Sequence, residues 1–577
     1  MSRTLTAHST LETLKKEAKR WLKALQAGAA PARERLLAVT PGAPADPGLR
    51  DVQFALAREY GLPGWAALRQ AIDDLALERR SHAERVELVL RSSDWRGDRA
   101  SGARILTRWP QIGRDSLFAA VATGNLVEVE RRLATDPAAA NRKGGPLNRE
   151  PLLYLAHSRL PGSETNGLEI ARVLLDHGAD PNARWIGPWG EPAFTVLTGL
   201  IGVGEGNQPP HPQAQDLATL LIDRGADPYD PQALYNTSLW EDDITWLDFL
   251  WSHSERRGRL EAWRAQPATP KIGGAVPMSA LDYLLGNAVP NNHLQRAEWL
   301  LAHGAHANSP HAYASRPLRE EALVLGFEAM AALLVRHGAA TLPLTGKSAF
   351  RAACMRLDRE EVRELARLHP EVLTDAEAML TACRRGRTDI ADMLLELGVD
   401  VDVADDAGVR GLQCAVAGGS LDTVKLLVAH GANIDQPTQR SGGGAMGYAA
   451  HFGRREIAEY LAPLSRDVYC LVDLGFKERL GELFAAEPGL VNVRHYQSGC
   501  TPLFWLPEDE EQAMDMAAFL LGHGADPDIR DSEGVTADER LRRNGLVELA
   551  EFLREESGKR AGGHRSRGKL PERPGGS

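Results

Sequence analysis

The chain has 577 residues, 43% hydrophobic and 25% charged, a balance that excludes wholesale disorder, and it is far longer than one compact core can organise. The formal net charge of −11 is uneven: residues 1–75 sum to +3, residues 557–577 to +5 and the body between them to −19. Such a body excludes a large duplex nucleic-acid surface, which needs clustered cations, and favours encounter with basic partners. No run reaches the ~18 apolar residues of a membrane span; the longest, "PAFTVLTGLIGVG" at 192–204, is broken by Gly and Thr. The opening "MSRTLTAHSTLETLKKEAKR" holds no apolar signal segment. Five cysteines are too few for a disulfide scaffold, so the expected compartment is the reducing cytoplasm.

Residues 1–81 are expected to form a helical leader. "STLETLKKEAKRWLKALQAG" offers a capping box from Ser9 to Glu12. Leu11, Leu14, Ala18, Leu22 and Leu25 follow as one helical stripe ending at Gly28. "LRDVQFALAREYGLPGWAALRQAI" predicts two more helices broken at Gly61. Lys15, Lys16, Lys19, Arg20 and Lys23 make a basic face, read first as a solvated helix surface.

From residue 82 to 557 one string recurs: "LLDHGADPN" at 174–182, "LIDRGADPY" at 221–229, "LVAHGANID" at 427–435, "LLGHGADPD" at 520–528. Its glycine marks unit ends at Gly178, Gly225, Gly304, Gly338, Gly398, Gly431 and Gly524. Worn copies end at Pro110, Pro137, Ser254, Pro370, Ser465, Pro488 and Ser557, fourteen ends at a mean interval of about 34 residues. In "EIARVLLDHG", Ile170, Val173 and Leu174 line one helix face, and Gly178 sits where a helix wants a left-handed residue. A shorter helix precedes each, as in "LFAAVATGN" and "MLTACRRGR", with small residues that allow close approach. One such unit cannot bury its own apolar faces, so units must stack.

These units resemble ankyrin repeats. "CTPLFWL" at 500–506 is similar to the family's T-P-L-H-x-A with Phe504 in the His slot, "EPLLYLAHS" at 150–158 keeps its Pro-Leu core, and "LDTVKLLVAHGANID" at 421–435 is close to consensus. The resemblance is strongest at 376–440 and 500–530. The leader and the loop-inserted segment resemble those of long bacterial ankyrin proteins. The resemblance implies an all-α ankyrin-repeat solenoid of about 13–14 helix-turn-helix units, with short β-turn fingers and an N-terminal helical cap. The array spans 82–557, with a loop-inserted segment at 185–275, and a disordered basic tail follows at 558–577.

Signatures of chemistry fail on inspection. "TGKS" at 345–348 lacks the upstream glycine of a phosphate loop, position 341 being Thr341. "DVDVADDAG" at 400–408 lacks the ligand set and turn glycine of a calcium loop. His177, His303, His337, His430 and His523 form a column, but matching positions in adjacent layers lie ~10 Å apart, too far to share an ion. Their expected role is to meet free carbonyls in a last helical turn. Cys354, Cys383, Cys414 and Cys470 occupy small-residue slots and are read as packing. No cofactor and no metal are expected.

One stretch departs from the pattern. Six of the twelve tryptophans fall within 185–263, beside an overlong loop, "NQPPHP". Insertions in repeat proteins map to one face, often the binding face. The reading is therefore a non-catalytic, monomeric scaffold that grips a protein or peptide partner, favoured to be basic, on a concave surface. Duplex nucleic acid and membrane are not expected partners. The candidate contact residues are Trp185, Trp189, His211, Tyr235, Trp240, Asp402, Asp405 and Asp406. The alternative is an enzyme or small-molecule sensor with a pocket at 185–263, using His157, His211 and Tyr235. For Trp246 and Trp251 the plainer expectation is that they fill the seam of a distorted unit.

Overall fold

The computed structural model describes residues 3–6, 9–187, 190–204, 207–239, 241–265, 278–310, 316–439, 442–507, 509–544, 546 and 549–555. The chain is 61% helix and 3% strand, an all-α repeat array. It divides into two compact units, one of residues 1–321 and 329–340, the other of residues 322–328 and 341–577.

The first unit opens with helices Leu11–Gln26, Ala30–Val39, Leu49–Glu59 and Trp65–Arg79. The helix-start expectation needs correction: the N-cap is Thr10, not Ser9, and Thr10 and Thr13 satisfy each other's backbone N–H. Ser9 instead accepts from the Thr6 N–H. Of the predicted stripe, Leu14 and Ala18 are buried, and Trp21 joins them at 3% exposure. Its indole donates to the Ala32 carbonyl at 2.9 Å, and Arg35 lies over its ring. That explains the helix Ala30–Val39, which no periodic pattern announced.

Helix pairs follow. In the first unit the leading helices His82–Ser92, Leu117–Ala122, Pro151–His157, Val196–Ile201, Pro231–Asn236 and Ala280–Ala288 each touch the next in chain order. In the second unit Gly346–Met355, Ala376–Arg384, Gly411–Gly418, Ala445–His451, Val468–Asp473, the 3-10 turn Pro502–Phe504 and Ala537–Arg543 do the same. Buried residues from Phe350 to Leu553 form one continuous cluster in the second unit. Each pair thus buries the apolar face that its neighbour exposes.

Trailing helices end in two ways. All seven marker glycines have positive φ, from +83° at Gly178 to +108° at Gly225. At Gly178 no atom lies within 4 Å of where a Cβ would sit, so backbone conformation and not space demands glycine there. At Pro110, Pro137, Pro370 and Pro488 the chain turns through a 3-10 helix started by the proline.

Side chains stitch one layer to the next. Asn182 donates to the Gly225 carbonyl at 3.0 Å and accepts from the Asp227 N–H at 2.8 Å. Asn308 does the same with Gly338 and Ala340, and Asn492 with Gly524 and Asp526. Each amide satisfies the backbone of the next glycine turn, whose groups no helix serves.

Candidate functional site

The insert of the first unit keeps its chemistry inside. Strands β1 (Arg184–Gly187) and β2 (Gly190–Thr195) form an antiparallel hairpin. Trp185 pairs with Phe194 across it, their rings stacked at 4.7 Å. The Arg149 guanidinium lies 3.9 Å from the Trp185 ring centroid, and Asp94 holds that guanidinium at 2.8 Å. Trp185 is therefore half-buried, and its indole N–H is buried without an acceptor among the described residues. Trp189 and Trp240 lie outside the described residues.

His157 and His211 are interior, 4% and 2% exposed. Gly199 makes room for the first: a Cβ there would sit 2.7 Å from the imidazole. Arg159 donates to the carbonyls of Ala156, Ser158, Gly199 and Pro209 at 2.8–3.0 Å, tying the insert to the helix end. Burial, then the Arg149 charge, pushes the His157 pKa down to about 3. Burial, then Arg159, pushes His211 down to about 4. Both rings stay neutral, and the Nε2 of each is buried without a partner among the described residues. Asp230 caps helix Pro231–Asn236 through the Ala233 N–H at 3.0 Å, and burial raises its pKa. Tyr235, on the same helix, is half-buried. Two clefts of about 530 Å³ are lined by residues between 77 and 147 and between 3 and 60, and neither includes His157, His211 or Tyr235.

Trp251 and Trp263 of this region are core, whereas Trp246, expected to fill the seam with Trp251, is half-buried against Phe249 at 5.3 Å. Trp251, Trp263 and Trp299 are 7%, 0% and 7% exposed. Trp251 meets the other two edge-to-face at 5.3 and 5.6 Å, an arrangement that suits ring quadrupoles. The Trp263 indole donates to Ser254 Oγ at 2.9 Å. In the histidine column, Nδ1 of His177, His303 and His523 donates to the carbonyl four residues earlier, at 2.6–2.9 Å. All five cysteines are buried, and burial pushes the Cys354 thiol up to about 12. Among the described residues no three His, Cys, Asp or Glu side chains are grouped to hold a metal.

The second unit carries a row of fingers. Backbone bonds close them at Asp405–Val409, Thr438–Gly443, His495–Cys500 and Asp531–Val535. Asp405 shapes the first, accepting from the Ala407 and Val409 N–H groups at 3.0 and 2.8 Å. Asp402 is half-buried and accepts from the Asn433 N–H at 3.1 Å in the next layer. Asp406 stands exposed at the tip. Neighbouring fingers touch: the Gln439 N–H donates to the Ala407 carbonyl at 3.0 Å, and Ser532 to Ser498 at 2.9 Å.

Among the described residues, two crossings of the second unit lack a finger; the first runs from helix Arg359–Leu368 through the 3-10 turn Pro370–Thr374 to helix Ala376–Arg384. Between helices Arg455–Leu461 and Val468–Asp473 the chain crosses directly through residues 462–467. Beside that gap an aromatic strip comes to the surface. Tyr469 meets Trp505 at 5.7 Å and His495 at 5.3 Å; His495 meets Trp505 at 6.0 Å and Tyr496 at 4.9 Å. Tyr496 is 69% exposed and Trp505 38%. Trp505 emerges because the leading helix shrinks to Pro502–Phe504 and Pro507 prevents its extension. The sequence then runs Glu508, Asp509, Glu510, Glu511. Motif reading passed over Tyr496 and Trp505. The available signal was a Trp-Leu-Pro step inside a leading-helix slot, which stops the helix before the indole can enter the stack.

Parts of the chain are similar to known proteins. A curated relative, the "Ankyrin repeat and KH domain-containing protein mask-1" of Caenorhabditis elegans, is 27% identical over 177 residues, 30% of this chain and 6% of that protein. The match therefore spans only a small fraction of the relative's length. A solved structure, "Bd0816 Predatory Endopeptidase from Bdellovibrio bacteriovorus in complex with immunity protein Bd3460", aligns at 21% identity with a TM-score of 0.26, covering 31% of this chain and 97% of that one. The ankyrin-repeat family model, in three copies, matches residues 379–471, so this stretch of the second unit carries ankyrin repeats.

Proposed function

We propose that the protein is a non-catalytic, cytoplasmic scaffold that binds a protein or peptide partner on the finger and leading-helix face of its second unit. The observation that carries this reading is the strip Tyr469, His495, Tyr496 and Trp505, with two large aromatic residues, Tyr496 and Trp505, exposed and each packed against the His495 ring. Tyr and Trp dominate interface hot spots because they bury much area at little entropic cost. Ankyrin repeats generally mediate protein–protein interaction. The acidic body and the tip residue Asp406 favour a basic partner and would set its orientation. Trp185 supports the fold of the insert in this reading and contributes to the partner only through the hairpin it holds. No helix among the described residues is long and apolar enough to cross a membrane.

The experiment is photo-cross-linking in cells with benzoylphenylalanine in place of Tyr496, and separately in place of Val127, which is 75% exposed in the first unit. The reading predicts a discrete adduct from position 496 that Trp505→Ala weakens. Equal adducts from both positions, or adducts indifferent to Trp505→Ala, would remove this face from consideration.

A further inference from the structure

We propose that the second unit carries another docking surface, where Arg384, Arg385 and Arg454 receive a short, extended, acidic segment of a partner protein. The surface lies where leading helices turn into trailing helices, at the other end of the helices from the fingers. It does not depend on the finger-face reading.

Three consecutive pairs build it. Helix Ala376–Arg384 runs into Arg385 and Gly386, helix Gly411–Gly418 into Gly419 and Ser420, and helix Ala445–His451 into Phe452, Gly453 and Arg454. The middle pair offers bare backbone at Gly418 and Gly419, and arginines from both neighbours lean over it. Arg384 Nη2 lies 3.6 Å from Cys414 Sγ, and Arg454 Nη2 donates to the Ala417 carbonyl at 2.8 Å. Three residues separate those two contacts, ~4.5 Å along a helix. A Cβ on Gly418 would clash with the Arg384 carbonyl, and one on Gly419 would stand 3.1 Å from Arg454 Cζ. Arg385 stands beside Arg384, bonded to the Leu325 carbonyl with its guanidinium 3.9 Å from the Phe327 ring centroid.

These charges are left uncompensated. On the same edge Arg356 pairs with Glu361, and Arg387 with Asp389 and Arg455 with Glu459, each at 2.8 Å. Among the described residues no carboxylate bonds Arg384, Arg385 or Arg454, whose polar contacts are a carbonyl or a sulfur. Asp422, exposed at the start of the next trailing helix, holds none of them. Burial, then the charges of Arg384 and Arg387, lowers the Arg385 pKa, as expected of crowded cations. The free carbonyls at the end of helix Gly411–Gly418 attract Arg454 but engage one N–H of a guanidinium that has five. Donors remain for carboxylates.

Charge and size select the occupant. The surface spans one layer on either side of Gly418 and Gly419, roughly 20 Å, the length of about six extended residues. Alternate side chains of such a segment share one face, so carboxylates at every second position meet the guanidiniums. Phe452, 45% exposed and two residues before Arg454, offers an apolar neighbour a contact. The body's charge of −19 repels a long polyanion, so a few carboxylates fit where a nucleic-acid backbone does not.

The test titrates a fluorescein-labelled octapeptide into the full chain by anisotropy at low and high salt. The peptide carries Glu at every second position, with Ser and one Leu between. Binding should weaken several-fold at high salt and at least about ten-fold when Gln replaces Glu in the peptide. Arg384→Gln with Arg385→Gln should weaken it about ten-fold at an unchanged melting temperature, and Arg384→Lys with Arg385→Lys should restore part of the loss, keeping charge without the fork. Tyr496→Ala with Trp505→Ala should leave it unchanged, so the two faces fail separately. No binding of the Glu peptide, equal binding of the Gln peptide, or indifference to the arginine substitutions would overturn the proposal. So would loss of binding in the Tyr496 and Trp505 variant, or tighter binding of an oligouridylate than of the Glu peptide.

Discussion

The first unit's insert and the second unit's finger face are both rich in aromatic rings, and they use them oppositely. In the insert, the described tryptophans Trp185 and Trp251 have internal partners: Trp185 has Phe194 and Arg149, and Trp251 has Trp263 and Trp299. On the finger face the rings meet one another at a tilt and leave Tyr496 and Trp505 open to solvent. Aromatic density therefore marks a place that needs filling as readily as a place that binds. What separates the two is whether the local backbone lets a ring turn inward. The hairpin β1–β2 folds Trp185 over Arg149, whereas the shortened turn Pro502–Phe504 strands Trp505 outside the stack.

Substitutions can break this contrast. The largest effect is expected from Trp263→Ala, which empties a fully buried site and orphans Ser254. It should destabilise the first unit by about 3–5 kcal/mol, read by urea unfolding. Next is pH. His157 and His211 titrate near 6.5 when unfolded but at about 3 and about 4 when folded. Below pH 6.5 the unfolded chain takes up protons that the folded chain refuses. Stability of the first unit should therefore be full above pH 6.5 and fall toward pH 4, by up to about 1.4 kcal/mol per pH unit for each histidine. His157→Gln and His211→Gln should each flatten that slope; a midpoint that rises on acidification would contradict the placement of these rings.

Smaller effects sharpen the same contrast. Trp185→Ala should cost about 1–2 kcal/mol through lost stacking and cation contact, whereas Trp505→Ala should stay within about 0.5 kcal/mol of the parent. Asn182→Ala removes two bonds between layers at an exposed site and should cost about 1 kcal/mol or less. A larger loss for Trp505→Ala than for Trp185→Ala would reverse the assignment of inside and outside.

The array itself was legible because it is written repeatedly. Each marker glycine needs a left-handed backbone, so it survives as a visible letter wherever a helix ends that way. Four proline ends were legible for a related reason, since proline stops a helix from the sequence upward. The seam role expected of Trp251 was also readable, because its spacing within "WLDFLWSHS" puts it on the inner face with Leu247 and Leu250. Side-chain fates in the insert were not legible. Whether Trp185 faces solvent depends on Arg149, a residue of the preceding pair, and on a hairpin register that no short motif announces. His211 is interior because its own N–H reaches the Leu200 carbonyl and the overlong loop closes over the helix Val196–Ile201. The finger face escaped attention because its signal is a Trp-Leu-Pro step inside a leading-helix slot, next to a crossing before Val468 that repeat counting treats as a worn marker.

Hydroxyl-radical footprinting read by mass spectrometry tests the contrast most directly. Tyr496 and Trp505 should be modified rapidly while Trp251, Trp263 and Trp299 are protected and Trp185 is slow. Protection of Trp505 together with fast modification of Trp185 would contradict the division between an aromatic cluster that builds the fold and one that faces a partner.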